Sequence, residues 1–215
     1  MEPTIIKFSC DSATDTVQCE HFGVTIKCDY DTNEITDINC SEDRIFIHCS
    51  DLLYSYDTDG NEVDCIDIGD NSVIIVANNL VCNIDSINEC CCIVFDGDLN
   101  LVDEMSAYEP IVLNYEGRML AKSLTTKDII EITQDDSQIV RTDIAEIIEN
   151  IYEDSEFCGL RIVPKYIDYN YAYIISCGLK RINYRSENEV EEIEPYRVNE
   201  YYAIKPFISS LKFSD

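Results

Sequence analysis

Twelve cysteines and two histidines are the residues of this chain best suited to hold a metal or attack a carbonyl. Cys19-Glu20-His21 and His48-Cys49 together offer two thiols and two imidazoles, a ligand set that zinc accepts. Cys82 with the run Cys90-Cys91-Cys92 is a second thiol group. Neither has the closely paired cysteine knuckles of structural zinc sites. Adjacent cysteines on a strand point to opposite faces, so the triple cannot turn all three thiols to one ion without a kink. No metal site is therefore expected; Cys19, His21, His48 and Cys49 are the weak candidates, and cysteine as a small core residue is the default.

Two stretches begin like calcium loops, with oxygen ligands at alternate positions. Asp29-Tyr30-Asp31-Thr32-Asn33 then fails, because Glu34 stands where glycine is needed and Cys40 where a bidentate glutamate belongs. Ser55-Tyr56-Asp57-Thr58-Asp59-Gly60 has the glycine but ends on Ile66. Both read as turns. A nucleophile would need a base beside it, and both histidines fall in the first half, far in sequence from Cys158-Gly159 and Cys177-Gly178. No phosphate-cradling glycine loop, dinucleotide fingerprint or H-E-x-x-H is present. Carboxylates are so abundant that any pair of them is uninformative as an acid–base pair. The expectation is a protein that is not an enzyme and carries no cofactor; an enzyme with a dispersed Cys/His site is the second alternative.

The excess of carboxylate is the dominant chemical fact. The chain has 43 Asp and Glu against 15 Lys and Arg. Residues 1–105 hold 23 of those acids and three cations, Lys7, Lys27 and Arg44, for a formal charge of -20; the other 110 residues add -8. Such a field repels nucleic acid and anionic membrane and attracts basic protein surfaces. Hydrophobic residues still make up 46%, with 31 isoleucines and 21 tyrosines and phenylalanines, so the charge does not imply disorder. No apolar run is long enough to span a membrane. The start, Met1-Glu2-Pro3-Thr4-Ile5-Ile6-Lys7, has no secretory pattern. The expected location is a reducing compartment, cytoplasm or nucleus, with the thiols free. Isoleucine outnumbers alanine 31 to seven, a bias of AT-rich coding that points to a viral or intracellular-parasite source.

The elements that must position these residues are mostly strands. Val24, Ile26, Cys28 and Tyr30 alternate with Thr25, Lys27 and Asp29, the period of a half-buried strand. Ile45, Ile47 and Cys49 repeat the pattern, and Leu53 and Ser55 alternate with Tyr54 and Tyr56. Asn71–Ala77 and Cys91–Phe95 are continuous apolar runs, suited to strands buried on both faces. Between them recurs a phrase of apolar residue, Asp and turn formers: Tyr30–Ile35, Tyr56–Val63, Ile84–Glu89 and Phe95–Val102. Each predicts a hairpin corner. Strands of this length joined by Asp-Gly corners resemble blades of a β-propeller or another antiparallel meander over roughly residues 20–120. No Trp-Asp or Gly-His signature occurs, and that span makes fewer than three four-stranded blades, too few to close a ring. An open meander or a sandwich fits equally.

The second half reads as mixed. Ile144, Ile147, Ile148, Ile151 and Tyr152 form one helical stripe, with Asp143 and Glu146 as a capping pair, so a helix is expected over about 142–154. A helical turn is expected at Thr125. Leu160–Val163, Tyr171–Ser176, Lys180–Tyr184 and Tyr201–Pro206 read as strands, and Glu187–Glu194 as a solvated loop or edge. The fold class expected is α+β, predominantly antiparallel β. Ten cysteines precede residue 93, whereas only three of 14 tyrosines precede residue 100, which divides the chain into 1–105 and 106–215 unless one continuous domain spans both.

These readings converge on a non-catalytic acidic interaction module. Asp29, Asp31, Glu34, Asp57, Asp59, Glu62, Asp64, Asp96 and Asp98 are the expected contact residues, their carboxylates spaced to imitate phosphates. The expected partner is a basic protein or the protein face of a nucleoprotein assembly, with no direct nucleic-acid or membrane contact. The alternative is a structural subunit of a larger particle, with the tyrosine-rich half as its interface. The cations Lys180, Arg181, Arg185 and Arg197 read as surface pairs balancing nearby glutamates. Plain solubilisation is the ordinary role such acidity can have.

Overall fold

Alternating apolar and polar residues along most of the chain fold into antiparallel strands that build four-stranded meanders, one after another. A computed structural model describes residues 2–69, 72–85, 92–105, 108–123, 129–133, 138–140, 164–175, 178–185 and 189–205. The first group is β1 (Thr4–Asp11), β2 (Thr16–Cys19) and β3 (Val24–Lys27). A one-turn 3-10 helix, Thr32–Glu34, leads into β4 (Ile35–Cys40), β5 (Arg44–Cys49), β6 (Leu52–Asp57) and β7 (Glu62–Asp67). The third group is β8 (Ser72–Ala77), β9 (Leu80–Asp85), β10 (Cys92–Asp96) and β11 (Leu101–Met105). The fourth is β12 (Tyr108–Tyr115), β13 (Arg118–Ser123), β14 (Ile129–Ile132) and β15 (Gln138–Val140). The fifth is β16 (Tyr166–Ile167), β17 (Tyr171–Ile175), β18 (Gly178–Asn183) and β19 (Glu189–Pro195). The last strand, β20 (Glu200–Lys205), returns to pair with β1 and completes the first group.

The groups sit side by side in a ring. Strand order in the first sheet is β20-β1-β2-β3, and the leading strands β20, β4, β8 and β12 lie against one another in turn. The leading strand of the fifth group, β16, runs parallel to β12 through the pair Tyr115 and Ile167. Closure comes from a cluster in which Tyr166, Tyr173 and Leu179 of the fifth group pack on Tyr202 and Ile204 of β20. Five four-stranded meanders with their first strands innermost make a five-bladed β-propeller. The meander is thus not confined to residues 20–120. It runs the length of the described chain, so the count that seemed too small to close a ring is met by blades 4 and 5 and by β20.

Sheet-on-sheet contacts form the core. On β5, Ile45, Ile47 and Cys49 face blade 1, whereas Phe46 faces blade 3 beside Leu53, Ile74, Val76 and Val81. On β8, Ile74 faces blade 2 and Ile75 faces blade 4 with Val112, Met119 and Ala121. The inner strands β5 and β8 are therefore apolar on both sides, whereas outer strands alternate or turn polar, and in blade 1 the alternation already begins at β1 and β2. That is why β7 (Glu-Val-Asp-Cys-Ile-Asp) and β19 (Glu-Val-Glu-Glu-Ile-Glu-Pro) are acidic: they are edges. On β7 the Asp64 carboxylate accepts from the Cys65 N–H at 2.8 Å, and on β11 Asp103 accepts from the Glu104 N–H at 2.8 Å. Each acid satisfies an edge amide that no further strand reaches, a guard against edge-to-edge pairing.

Among the described residues there is no α-helix. The helix expected over 142–154, the turn at Thr125 and the strand at Leu160–Val163 lie outside the described residues. The 105/106 boundary falls between blades 3 and 4, and Ile75 and Val94 on one side share a cluster with Val112 and Met119 on the other. None of the eight described cysteines is in a disulfide, and six of them are buried.

Candidate interaction surface

Turn chemistry positions the acids. In the turn between β6 and β7, Asp57 accepts from the N–H groups of Asp59 at 3.0 Å and Asn61 at 2.8 Å, and from the Asn61 side chain at 2.9 Å. These donors hold its carboxyl below the usual carboxylate range. One blade later, 39 residues on, the turn between β10 and β11 repeats the arrangement. Asp96 accepts from Asp98 N and Asn100 N, each at 2.9 Å. The position held by Gly60 at φ +88° is held there by Leu99 at φ +61°, whose side chain is buried against blade 2. Both turns lean on the preceding blade. A Cβ on Gly60 would stand 2.7 Å from Val24 Cγ2. Gly97 O accepts from Ser55 Oγ at 2.7 Å, and Arg44 grips Asp98 through Nε at 3.1 Å and Nη2 at 2.6 Å. That contact raises the Arg44 pKa and neutralises one of the expected contact acids.

Strand direction sorts the nine expected residues onto different faces. Turns between first and second, and third and fourth, strands emerge on one face of the ring, here the lower; Asp57, Asp59, Asp96 and Asp98 lie there. Turns between second and third strands, and connections between blades, emerge on the upper face, with Asp29, Asp31 and Glu34. Glu62 and Asp64 lie on the outer strand β7. The nine do not share one surface. The upper group gains neighbours that the spacing of the turn phrase did not reveal. Asp15 Oδ1 accepts from Thr32 N at 3.4 Å, Ser50 Oγ donates to Glu34 Oε2 at 2.6 Å, and Asp51 O accepts from Ile68 N at 2.8 Å. Asp11, which caps its own turn by accepting from Ala13 N at 2.9 Å, lies beside Asn199 of the connection into β20. Asp11, Asp15 and Asp51 sit in short polar turns between apolar runs, and that signal could have found them. Tyr196 and Val198 are exposed on the same connection, at 66% and 73%.

The weak zinc candidates are held apart by their blades. Cys19 is buried in β2, and His21 in the following turn meets Phe22 edge to face at 4.9 Å. Cys49 faces blade 1, where its thiol donates to Asp31 O at 3.7 Å and burial pushes its pKa up to about 11. His48 faces the other way. Among the described residues no group of three or more His, Cys, Asp or Glu could hold a metal ion.

His48 belongs instead to a polar seam near the axis. Asp37 on β4 and Lys165, just before β16, form an ion pair. Lys165 also donates to Ile74 O at 3.4 Å, so one side chain from blade 5 ties blades 2 and 3 across the ring. Asn39 donates to Asp37 at 2.8 Å, and Asn114 donates to Val76 O at 2.8 Å. His48 is 3% exposed with Nε2 unpaired, and burial lowers its pKa against the opposing pull of Asp37. No sequence signal marked Lys165 or Asp37.

No family model matches the chain, and no curated protein matches it. Among solved structures it is similar to KlHsv2 with loop 6CD replaced by a Gly-Ser linker, at 14% identity over 85% of this chain and 62% of that one, with a TM-score of 0.46. It is similar to HIRA(644-1017) at 13% identity over 65% and 52% of the two chains, TM-score 0.44. A third is KlAtg21 in complex with the coiled coil of AgAtg16, at 14% identity over 85% and 64%, TM-score 0.42. The chain spans about three-fifths of the length of the first of these.

Proposed function

We propose that the chain is a non-catalytic interaction module that docks on a basic protein, or on the protein face of a nucleoprotein assembly, through the upper face of blades 1 and 2. The supporting observation is the carboxylate group Asp11, Asp15, Asp29, Asp31, Glu34 and Asp51 on that face. Of the three cations in the first 105 residues, Lys7 is paired with Glu200 at 2.7 Å and Arg44 with Asp98 at 2.6 Å, which leaves Lys27 to offset it. Hydrogen bonds hold the Asp11, Asp15, Asp31 and Glu34 carboxylates in place, as phosphate imitation requires, and long-range attraction speeds encounter. Asp57, Asp59, Asp96 and Asp98 serve chiefly as brackets between blades in this reading, and Glu62 and Asp64 as edge guards.

The test is binding of a lysine-rich peptide to the full chain by calorimetry. Replacing Asp29, Asp31 and Asp51 with Asn and Glu34 with Gln should weaken binding at least about tenfold, whereas Asp59→Asn with Glu62→Gln should change it little. Affinity that stays constant between about 0.05 and 0.2 M salt would sink the proposal. A second reading, a structural subunit of a particle, is favoured by Tyr196 and Val198 standing exposed on the same face. A chain that sediments as an oligomer, and as a monomer after Tyr196→Ser with Val198→Ser, would select it.

A further inference from the structure

We propose that Arg185, stacked on Tyr169 at the lower face of blade 5, is a docking point for a carboxylate on a segment of a partner protein. The inference is independent of the acidic upper face.

Five arginines are described, and four of them are held by carboxylates: Arg44 by Asp98, Arg118 by Glu131 at 2.5 Å, Arg181 by Glu2 at 2.8 Å and Glu191 at 2.7 Å, and Arg197 by Glu200 at 3.7 Å. Arg185 has no carboxylate partner among the described residues. The guanidinium carbon lies 3.5 Å from the centroid of the Tyr169 ring, and Nε donates to Tyr169 O at 2.6 Å. The backbone N–H of Arg185 donates to Asn183 Oδ1 at 3.2 Å, and the Tyr184 hydroxyl donates to Asp168 O, which joins the two turns that carry the pair.

Asp168, the acid of the facing turn, is already committed. Asp168 Oδ1 accepts from Asn170 N and Tyr171 N, each at 2.8 Å, and so caps its own turn. The group therefore has its plane set by stacking and its Nε donor used, and the guanidinium also meets the Tyr184 hydroxyl, while no described carboxylate holds it. A planar fork fixed in this way fits a carboxylate through two parallel N–H···O bonds, and less conformational freedom is lost on binding than for a free side chain. Tyr169, 55% exposed, adds a ring against which the flanking residues of the segment can pack. A polyanion such as nucleic acid is repelled by the net charge of -28, whereas a peptide carrying a single carboxylate meets Arg185 with Glu116 and Glu189 as exposed acids of the neighbouring described residues.

The experiment is NMR of the full chain labelled with 15N at arginine, titrated with the capped peptide Ac-Gly-Tyr-Asp-Gly-NH2. Parallel arms carry Asn or phosphoserine in place of Asp. The expected result is a saturable shift of the Arg185 Nε–H resonance with the Asp peptide and none with the Asn peptide. Arg185→Lys and Tyr169→Ala should each weaken binding about fivefold, because a point charge and an unstacked fork lose the bidentate geometry. Both residues are on exposed turns, so the thermal midpoint should hold. An equal shift at ion-paired Arg197, an Arg185→Lys chain that binds as well as the parent, or a response to phosphoserine alone would overturn the carboxylate assignment.

Discussion

Two stretches with nearly the same residues do opposite jobs. Tyr30-Asp-Thr-Asn-Glu34 and Tyr56-Asp-Thr-Asp-Gly-Asn-Glu62 differ by the inserted Asp-Gly pair. In both, the aspartate accepts from the N–H two residues on, Asp31 from Asn33 at 2.9 Å and Asp57 from Asp59 at 3.0 Å. In both, an asparagine side chain closes on the same carboxylate. The tyrosines even meet, with Tyr56 donating to Tyr30 through their hydroxyls at 3.3 Å. Yet the second reverses the chain into β7, because Gly60 takes φ +88°, and the first makes one 3-10 turn and carries the chain on into the next blade. A local capping motif fixes the start of a turn; the residue that can enter the left-handed region decides whether the chain comes back.

Leu99 stands where Gly60 would, and it gives the sharpest way to break this comparison. Its backbone is strained, but its side chain fills the space between blades 2 and 3. Leu99→Ala should cost about 3 kcal/mol in urea unfolding, since the cavity outweighs everything else at the site. A loss under about 1 kcal/mol would mean that the turn, not the packing, holds Leu99 in place. Gly60→Ala should cost about 2 kcal/mol, from the left-handed φ and the contact with Val24 together. Next in size, Asp57→Ala should lower the thermal midpoint more than Asp31→Ala, because Asp57 takes three donors and Asp31 two. The Asp57 contribution should be present above the unfolded pKa near 4 and vanish as pH falls through its depressed folded value. Equal losses would remove the hierarchy of caps.

His48 offers the smallest and most selective effect. Its folded pKa lies below the unfolded value near 6.5, so the unfolded chain binds the extra proton. Its stabilising share is complete above that pH and is lost as pH falls through the folded value. His48→Gln should flatten the part of the stability profile that lies just below about pH 6.5.

Much of the local structure was legible. The alternation at Ile45, Ile47 and Cys49 gave β5, and the continuous runs gave β8 and β10, because burial on two faces leaves no polar positions. The glutamates at 187–194 read as a solvated loop or edge, and the described part forms the edge strand β19. Non-local facts were hidden. Nothing near Phe8 announces that Tyr201 will lie beside it, so ring closure could not be read and the blade count stopped short. The change in cysteine and tyrosine usage near residue 105 marked a boundary in composition where blades 3 and 4 share one core. The Tyr30 phrase was read as a hairpin corner because the deciding feature is an absent glycine. The division of the acids into upper, lower and rim groups follows from strand direction, which charge counts do not carry.

The pairing of β20 with β1 also sets a timetable. During synthesis blade 1 remains three-stranded, its inner edge open, until β20, which begins at Glu200, has followed β1 off the ribosome. Contacts of such long range form slowly, so the exposed inner edge of β1 waits through the making of four other blades and is the point at which a premature partner strand would trap the chain.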